Sequence, residues 1–326
     1  MSDTSLYFST VLALPDDSVL VGGHLVSEGS DPTGTLLVHY NENAEKKWQL
    51  IAKIPDMVNG LALRLETDGK VFVGIIGRNG FFCEIDLANK SFTKNHQLTS
   101  VDYGYFEDIV LFKGSYYVCG SRRQIYTFDG KEWSRLDSGI FSGDYSRNDF
   151  LKELHTSDPF SDYGSYGSEF ILSLDASNTL SVCGSNGFVA ILDQEKNIWN
   201  QLDAPTNIDF KVIYGDDDGS IFIGAGGGIL YSISQDGSWK EYHDSKFKDA
   251  IIRDILRFKG LIYCAAGQKV LVVKDGEFEE VEISFSDSQE INKLSVFHNV
   301  LWAVGDEVIF RFDGSKWTSH ISPTNK

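Results

Sequence analysis

The chain has 326 residues, of which 42% are hydrophobic and 23% charged, with 31 glycines, 6 prolines and 13% aromatics. That balance excludes a disordered chain, and a protein of this size buries roughly three quarters of its unfolded surface without help from disulfides or a structural metal. Twenty-nine basic residues against 47 acidic ones give a net charge of −18, which sets aside nucleic acid and anionic membrane as partners and suits a partner with a basic surface.

From the N-terminus onward one unit recurs: an apolar strand, a polar turn, a second apolar strand ending in a small residue, a third strand, a turn and an aromatic. The second-strand ends are Val19-Leu20-Val21-Gly22, Val71-Phe72-Val73-Gly74, Tyr117-Val118-Cys119-Gly120, Ser181-Val182-Cys183-Gly184, Ile221-Phe222-Ile223-Gly224, Ile262-Tyr263-Cys264-Ala265 and Trp302-Ala303-Val304-Gly305. The glycine is expected to let the chain leave the strand in a tight turn. The closing aromatics are Trp48, Phe92, Trp133, Trp199, Trp239, Phe278 and Trp317, spaced 44, 41, 66, 40, 39 and 39 residues apart. Asp129-Gly130, Asp236-Gly237, Asp275-Gly276 and Asp313-Gly314 mark hairpins between third and fourth strands.

Seven units of about 40 residues with four short strands each predict an all-β, seven-bladed β-propeller of four-stranded antiparallel blades. It is expected to be a single domain over 1–326, with blades near 6–53, 61–97, 106–137, 169–203, 210–243, 251–282 and 291–321 and an insertion at 138–168. The ring closes by packing alone, or Ser5 to Phe8 adds an outer strand; the sequence leaves both open. Gly184-Ser185-Asn186-Gly187-Phe188-Val189, followed by Trp199, resembles the repeats of photosystem-assembly-factor and Asp-box-like propellers. The resemblance spans the whole chain and implies the same fold. Ser234-Gln235-Asp236-Gly237-Ser238-Trp239 is shorter than an Asp box proper, and no Gly-His and Trp-Asp pairs fall in register for a WD repeat.

Four cysteines, Cys83, Cys119, Cys183 and Cys264, three of them at equivalent places in separate repeats, read as buried free thiols of a reducing compartment. Met1-Ser2-Asp3-Thr4-Ser5 lacks a basic leader, and no apolar run nears 18 residues. A bacterial cytoplasmic location is therefore expected.

In a four-stranded blade the loops alternate between two faces. One face carries short turns. The other carries both length outliers, His24 to Thr35 and the insertion near Ser138 to Ser168. Long loops on a rigid scaffold carry function. The expected partner-binding residues lie there: Tyr103, Tyr105, Asp144, Tyr145, Asp149, Asp158, Phe160, Asp162, Tyr163 and Tyr166. The tyrosines suit anchoring and the carboxylates suit steering.

Catalytic signals are weak. No H-x-x-x-H, G-x-S-x-G or P-loop occurs, and Gly224-Ala225-Gly226-Gly227-Gly228 sits between two strands, where no helix N-terminus can meet a phosphate. Catalytic and metal-ligating residues are expected to be none, and cofactors none. The reading reached is a non-catalytic binding protein, acidic and monomeric alone: an immunity or inhibitor protein that neutralises a basic toxin or effector with its loop face. A scaffold or assembly factor is the alternative within the binding class. The enzyme alternative is a calcium-dependent lactonase-like or glycosidase-like hydrolase, with calcium at Asp108, Asp209 and Asp254 in the central channel.

Overall fold

The computed structural model describes residues 5–26, 34–98, 104–140, 169–283 and 290–322. They form seven sheets, each of four antiparallel strands laid side by side in sequence order. The innermost strands are Ser5–Ala13, Val58–Leu65, Phe106–Phe112, Ile171–Asp175, Phe210–Gly215, Ile252–Phe258 and Ile291–Phe297. Each packs on the innermost strands of the blades before and after it, and the first packs on the last, so the seven sheets close a ring. The chain is a seven-bladed β-propeller, as the repeat spacing predicts. Trp48, Trp133, Trp199, Trp239 and Trp317 all stand on outermost strands. Among the described residues the helical content is one short 3-10 turn, Ser245–Phe247, and no helix is long and apolar enough to cross a membrane.

Burial explains the apolar runs. The second strands Ser181–Gly184, Ile221–Ala225 and Val300–Gly305 are buried at every position, whereas the outermost strand Ser91–Gln97 is exposed or half-buried throughout. A strand covered on both faces by neighbouring blades has no reason to alternate. The apolar clusters sit in the seams. One joins Phe112 and Cys119 of blade three to Ile171, Val182 and Trp199 of blade four; another joins Phe8, Val19 and Tyr40 of blade one to Trp302 and Ile309 of blade seven. All four cysteines are free and buried, and burial pushes the Cys83 thiol up to about 12.

The glycines ending the second strands do not serve the expected turn. Gly120 and Gly184 are absent from the positive-φ positions; they leave room for the neighbouring strand. A Cβ on Gly184 would stand 1.8 Å from the Phe170 carbonyl oxygen, and one on Gly120 would stand 2.0 Å from that of Tyr105. The Phe170 oxygen accepts from the Ser185 amide at 3.0 Å, so the added methyl would displace a bonded backbone group. Gly184→Ala is expected to cost about 3 kcal/mol, read as a shifted denaturant midpoint at constant slope; a loss under about 0.5 kcal/mol, the size of an ordinary surface change, would refute the steric account.

Ring closure uses packing and hydrogen bonds between blades one and seven. Ser5–Phe8 does not add an outer strand: it begins the innermost strand of blade one, where Ser5 pairs with Val26 and Phe8 with Gly23. The Phe8 amide donates to the Asp306 carbonyl at 2.7 Å, and the Ala13 amide to Ser295 Oγ at 2.8 Å. Tyr40 Oη and His320 Nδ1 meet at 2.8 Å across the outer half of the same seam.

Candidate functional site: the loop face and the axial mouth

The innermost strands all begin on the face that holds the two long loops. Of the expected partner-binding residues, only Tyr105 is within the described segments. It is 42% exposed, its amide donates to Ser121 Oγ at 2.9 Å, and the Arg78 guanidinium lies 4.0 Å over its ring. Tyr103, Asp144, Tyr145, Asp149, Asp158, Phe160, Asp162, Tyr163 and Tyr166 lie outside the described residues, as do 27–33 of the first long loop.

Both flanks of the insertion are fastened to the ring. On its N-terminal side Ile140 is buried and its amide donates to the Asp137 carbonyl at 3.2 Å. On its C-terminal side Phe170 bridges to Ser121, and its amide donates to Ser185 Oγ at 2.8 Å. Arg123 closes the corner, ion-paired to Glu169 at 3.5 Å and stacked 4.1 Å over Phe188. Arg122 and Arg123 both hold left-handed backbone, at φ 57° and 56°. Non-glycine residues keep that conformation only where their surroundings fix it, at a cost of about 1–3 kcal/mol each.

A second feature of this face was not foreseen from the sequence. Every innermost strand carries a β-bulge at the same place, and the unpaired residues are Ser9, Asn59, Glu107, Leu172, Lys211, Arg253 and Asn292. A bulge turns the extra side chain out of the sheet. Here all seven point to the axis, where with Lys293 they line one cavity of about 500 Å³. The signal was present as a polar residue at the bulge in six of the seven apolar runs, Leu172 being the exception, as in Phe106-Glu107-Asp108-Ile109 and Ile291-Asn292-Lys293-Leu294.

The residue after the bulge fastens one blade to the next. Asp108 Oδ2 accepts from the Leu174 amide at 3.0 Å, and Asp254 Oδ2 accepts from the Leu294 amide at 2.8 Å. Ser173 Oγ accepts from the Ile213 amide at 3.3 Å. In each case the donor lies two residues beyond the next blade's bulge. Burial raises the Asp108 and Asp254 carboxyls above the usual range; Lys293 and the amide donors oppose it. Burial also works against the Lys293 charge, but Asp254 and Asp108 outweigh it and hold its ammonium above the ordinary lysine value. Asp209, the third carboxylate of the calcium reading, pairs instead with Lys211 at 2.9 Å and accepts from the Asn186 amide at 3.1 Å. Among the described residues no three His, Cys, Asp or Glu side chains converge as a metal-ligand set.

No protein-family description matches the chain. A Pseudomonas aeruginosa protein named immune protein Tsi7 is 26% identical over 216 residues, which are 66% of this chain and 64% of that protein. The chain therefore aligns with somewhat under two thirds of that relative's length. Among solved structures, YCF48 bound to D1 peptide superposes with a TM-score of 0.65 at 13% identity, covering 99% of this chain and 94% of that one. Virginiamycin B lyase from Staphylococcus aureus gives 0.63 at 13% identity, covering 92% of each chain. One of these neighbours is a lyase and the other holds a peptide, so at such identities the likeness is one of fold alone.

Proposed function

We propose that this propeller is a non-catalytic immunity protein of the bacterial cytoplasm, which neutralises a toxin or effector with a basic surface by binding it on the loop face. The similarity to an immune protein carries the reading. The charge of −18 supports it, because long-range attraction speeds capture of a basic protein and excludes acidic ones. The rigid ring, with both flanks of the insertion fastened to it, provides a platform for variable loops. Tyr103, Tyr105, Tyr145, Phe160, Tyr163 and Tyr166 act as anchors in this reading, and Asp144, Asp149, Asp158 and Asp162 as steering charges.

The test is a pull-down from the native host with wild-type and loop-deleted protein, followed by association measurements with the basic partner recovered. Wild type is expected to form a tight complex and to abolish toxicity. Removing 144–166 should abolish binding while leaving the melting temperature of the ring unchanged. Each tyrosine-to-alanine change at a central anchor should weaken binding by about 2 kcal/mol. Reversing the four aspartates should slow association most at low salt, with little change in dissociation. A folded deletion variant that binds as tightly as wild type would overturn the assignment of the face.

A further inference from the structure

The axial mouth is polarised across its diameter. The seven blades follow one another round the ring in sequence order, so blade three stands opposite the seam between blades six and seven. Blade three contributes Glu107, for which no hydrogen bond or ion pair occurs among the described residues. The opposite seam contributes Arg253 and Lys293. Lys293 lines the cavity and likewise makes no hydrogen bond or ion pair among the described residues, and Arg253 Nε is buried without a hydrogen-bond partner. The surrounding charges are largely accounted for. Arg253 turns its outer nitrogen to Glu290 at 3.3 Å, Lys211 pairs with Asp209, and Asp108 and Asp254 accept from backbone amides of the next blade while their charges also favour the Lys293 ammonium. What remains is a carboxylate on one wall and N–H donors on the other. Of these groups Arg253 Nε is the buried donor left without a partner, which is costly; Glu107 and Lys293 are half-buried on the cavity wall, and a cavity of about 500 Å³ is of the size that holds small molecules.

We infer that the axial mouth binds a small zwitterion, an amino acid whose ammonium meets Glu107 and whose carboxylate meets Lys293 and Arg253. The mouth opens on the same face as the protein site proposed above but takes a different class of ligand, and its test needs no protein partner. The full chain is titrated by calorimetry with glycine, 4-aminobutyrate and 6-aminohexanoate, and with the amine and the carboxylic acid of each length. One amino-acid length should bind saturably at one site, at least about tenfold more tightly than its amine or its acid. Glu107→Gln and Lys293→Met should each remove that advantage. Leu172→Trp, on blade four, should fill the mouth and abolish binding while leaving both charges in place, and it covers the case in which a charge variant fails to fold. The inference is overturned if an amine or an acid binds as tightly as the amino acid, if folded charge variants bind like wild type, or if no amino acid of the series binds saturably.

Discussion

Glu84→Ala is expected to destabilise the propeller by about 3–5 kcal/mol, the cost of leaving the partners of a buried ion pair uncompensated. Glu84 is on the third strand of blade two, Phe81–Asp86, with 1% of its surface exposed. One carboxylate oxygen accepts from Arg64 Nε and from Tyr116 Oη, each at 2.8 Å; the other accepts from Thr93 Oγ1 at 2.8 Å and faces Lys94 Nζ at 3.6 Å. Tyr116 belongs to blade three, so the carboxylate joins two blades. Gly74 makes this possible, since a Cβ there would lie 2.3 Å from the Tyr116 ring. Burial alone would raise the Glu84 carboxyl, but the bonds from Arg64, Tyr116 and Thr93, with the charge of Lys94, outweigh it and hold it below the usual range. The unfolded chain therefore takes up this proton at higher pH than the fold does. The stabilisation is complete above the ordinary glutamate value of about 4.3 and is lost as pH falls through the lower folded value. Urea titrations of wild type and Glu84→Gln should differ most near neutrality and converge in acid. A difference that persists unchanged at about pH 3, below the ordinary value, would mean that the charge is not what stabilises the seam.

The fold was legible because the propeller repeats its physics seven times. An aromatic at one strand position, recurring about every 40 residues, reports the same covered edge each time, and a few substitutions such as Phe92 and Phe278 do not hide it. What a repeat does not report is how neighbouring units approach each other. The glycine of Val182-Cys183-Gly184 looked like a turn residue because glycine commonly serves turns; its cause is a carbonyl of the adjacent inner strand, from before Ile171, which only the sheet register reveals. Asp108 and Asp254 looked like metal ligands for a similar reason. Carboxylates near the axis suggest a cation; in the structure one oxygen of each accepts from a buried backbone amide of the next blade. Glu107 and Lys293 carry little signal of their own, because each belongs to a two-residue polar break in an otherwise apolar strand. Their significance is the summed effect of seven bulges converging on one axis, which no single repeat displays. Of the expected partner-binding residues, Tyr105 alone falls within the described segments, and a loop's composition can suggest binding without fixing which side chains make it.

Trp199→Ala is expected to cost about 3–5 kcal/mol, the largest loss among the closing aromatics. The repeat makes Trp48, Trp133, Trp199, Trp239 and Trp317 look equivalent, but their surroundings differ. Trp199 is only 4% exposed. Its indole Nε1 donates to the Leu136 carbonyl of the preceding blade at 2.6 Å, and its ring packs with Leu136, Ile140 and Leu192. By contrast, Trp133 and Trp317 have half-buried rings whose Nε1 atoms lack a hydrogen-bond partner. The difference follows from the insertion, because the chain leaves blade three along Leu136–Ile140 and lays that segment over the outer edge of blade four. Removing the indole leaves a cavity and an unpaired carbonyl at the base of the insertion, so the penalty combines lost packing with a lost hydrogen bond. Trp317→Ala, which removes a ring stacked 4.7 Å from Phe312 at the exposed edge of blade seven, should cost about half as much, since only part of its area leaves water. Equilibrium unfolding of the two variants decides the point. Equal losses would mean that the closing aromatics act as a uniform set, and that the exit segment of blade three contributes nothing to holding the seam beneath the insertion.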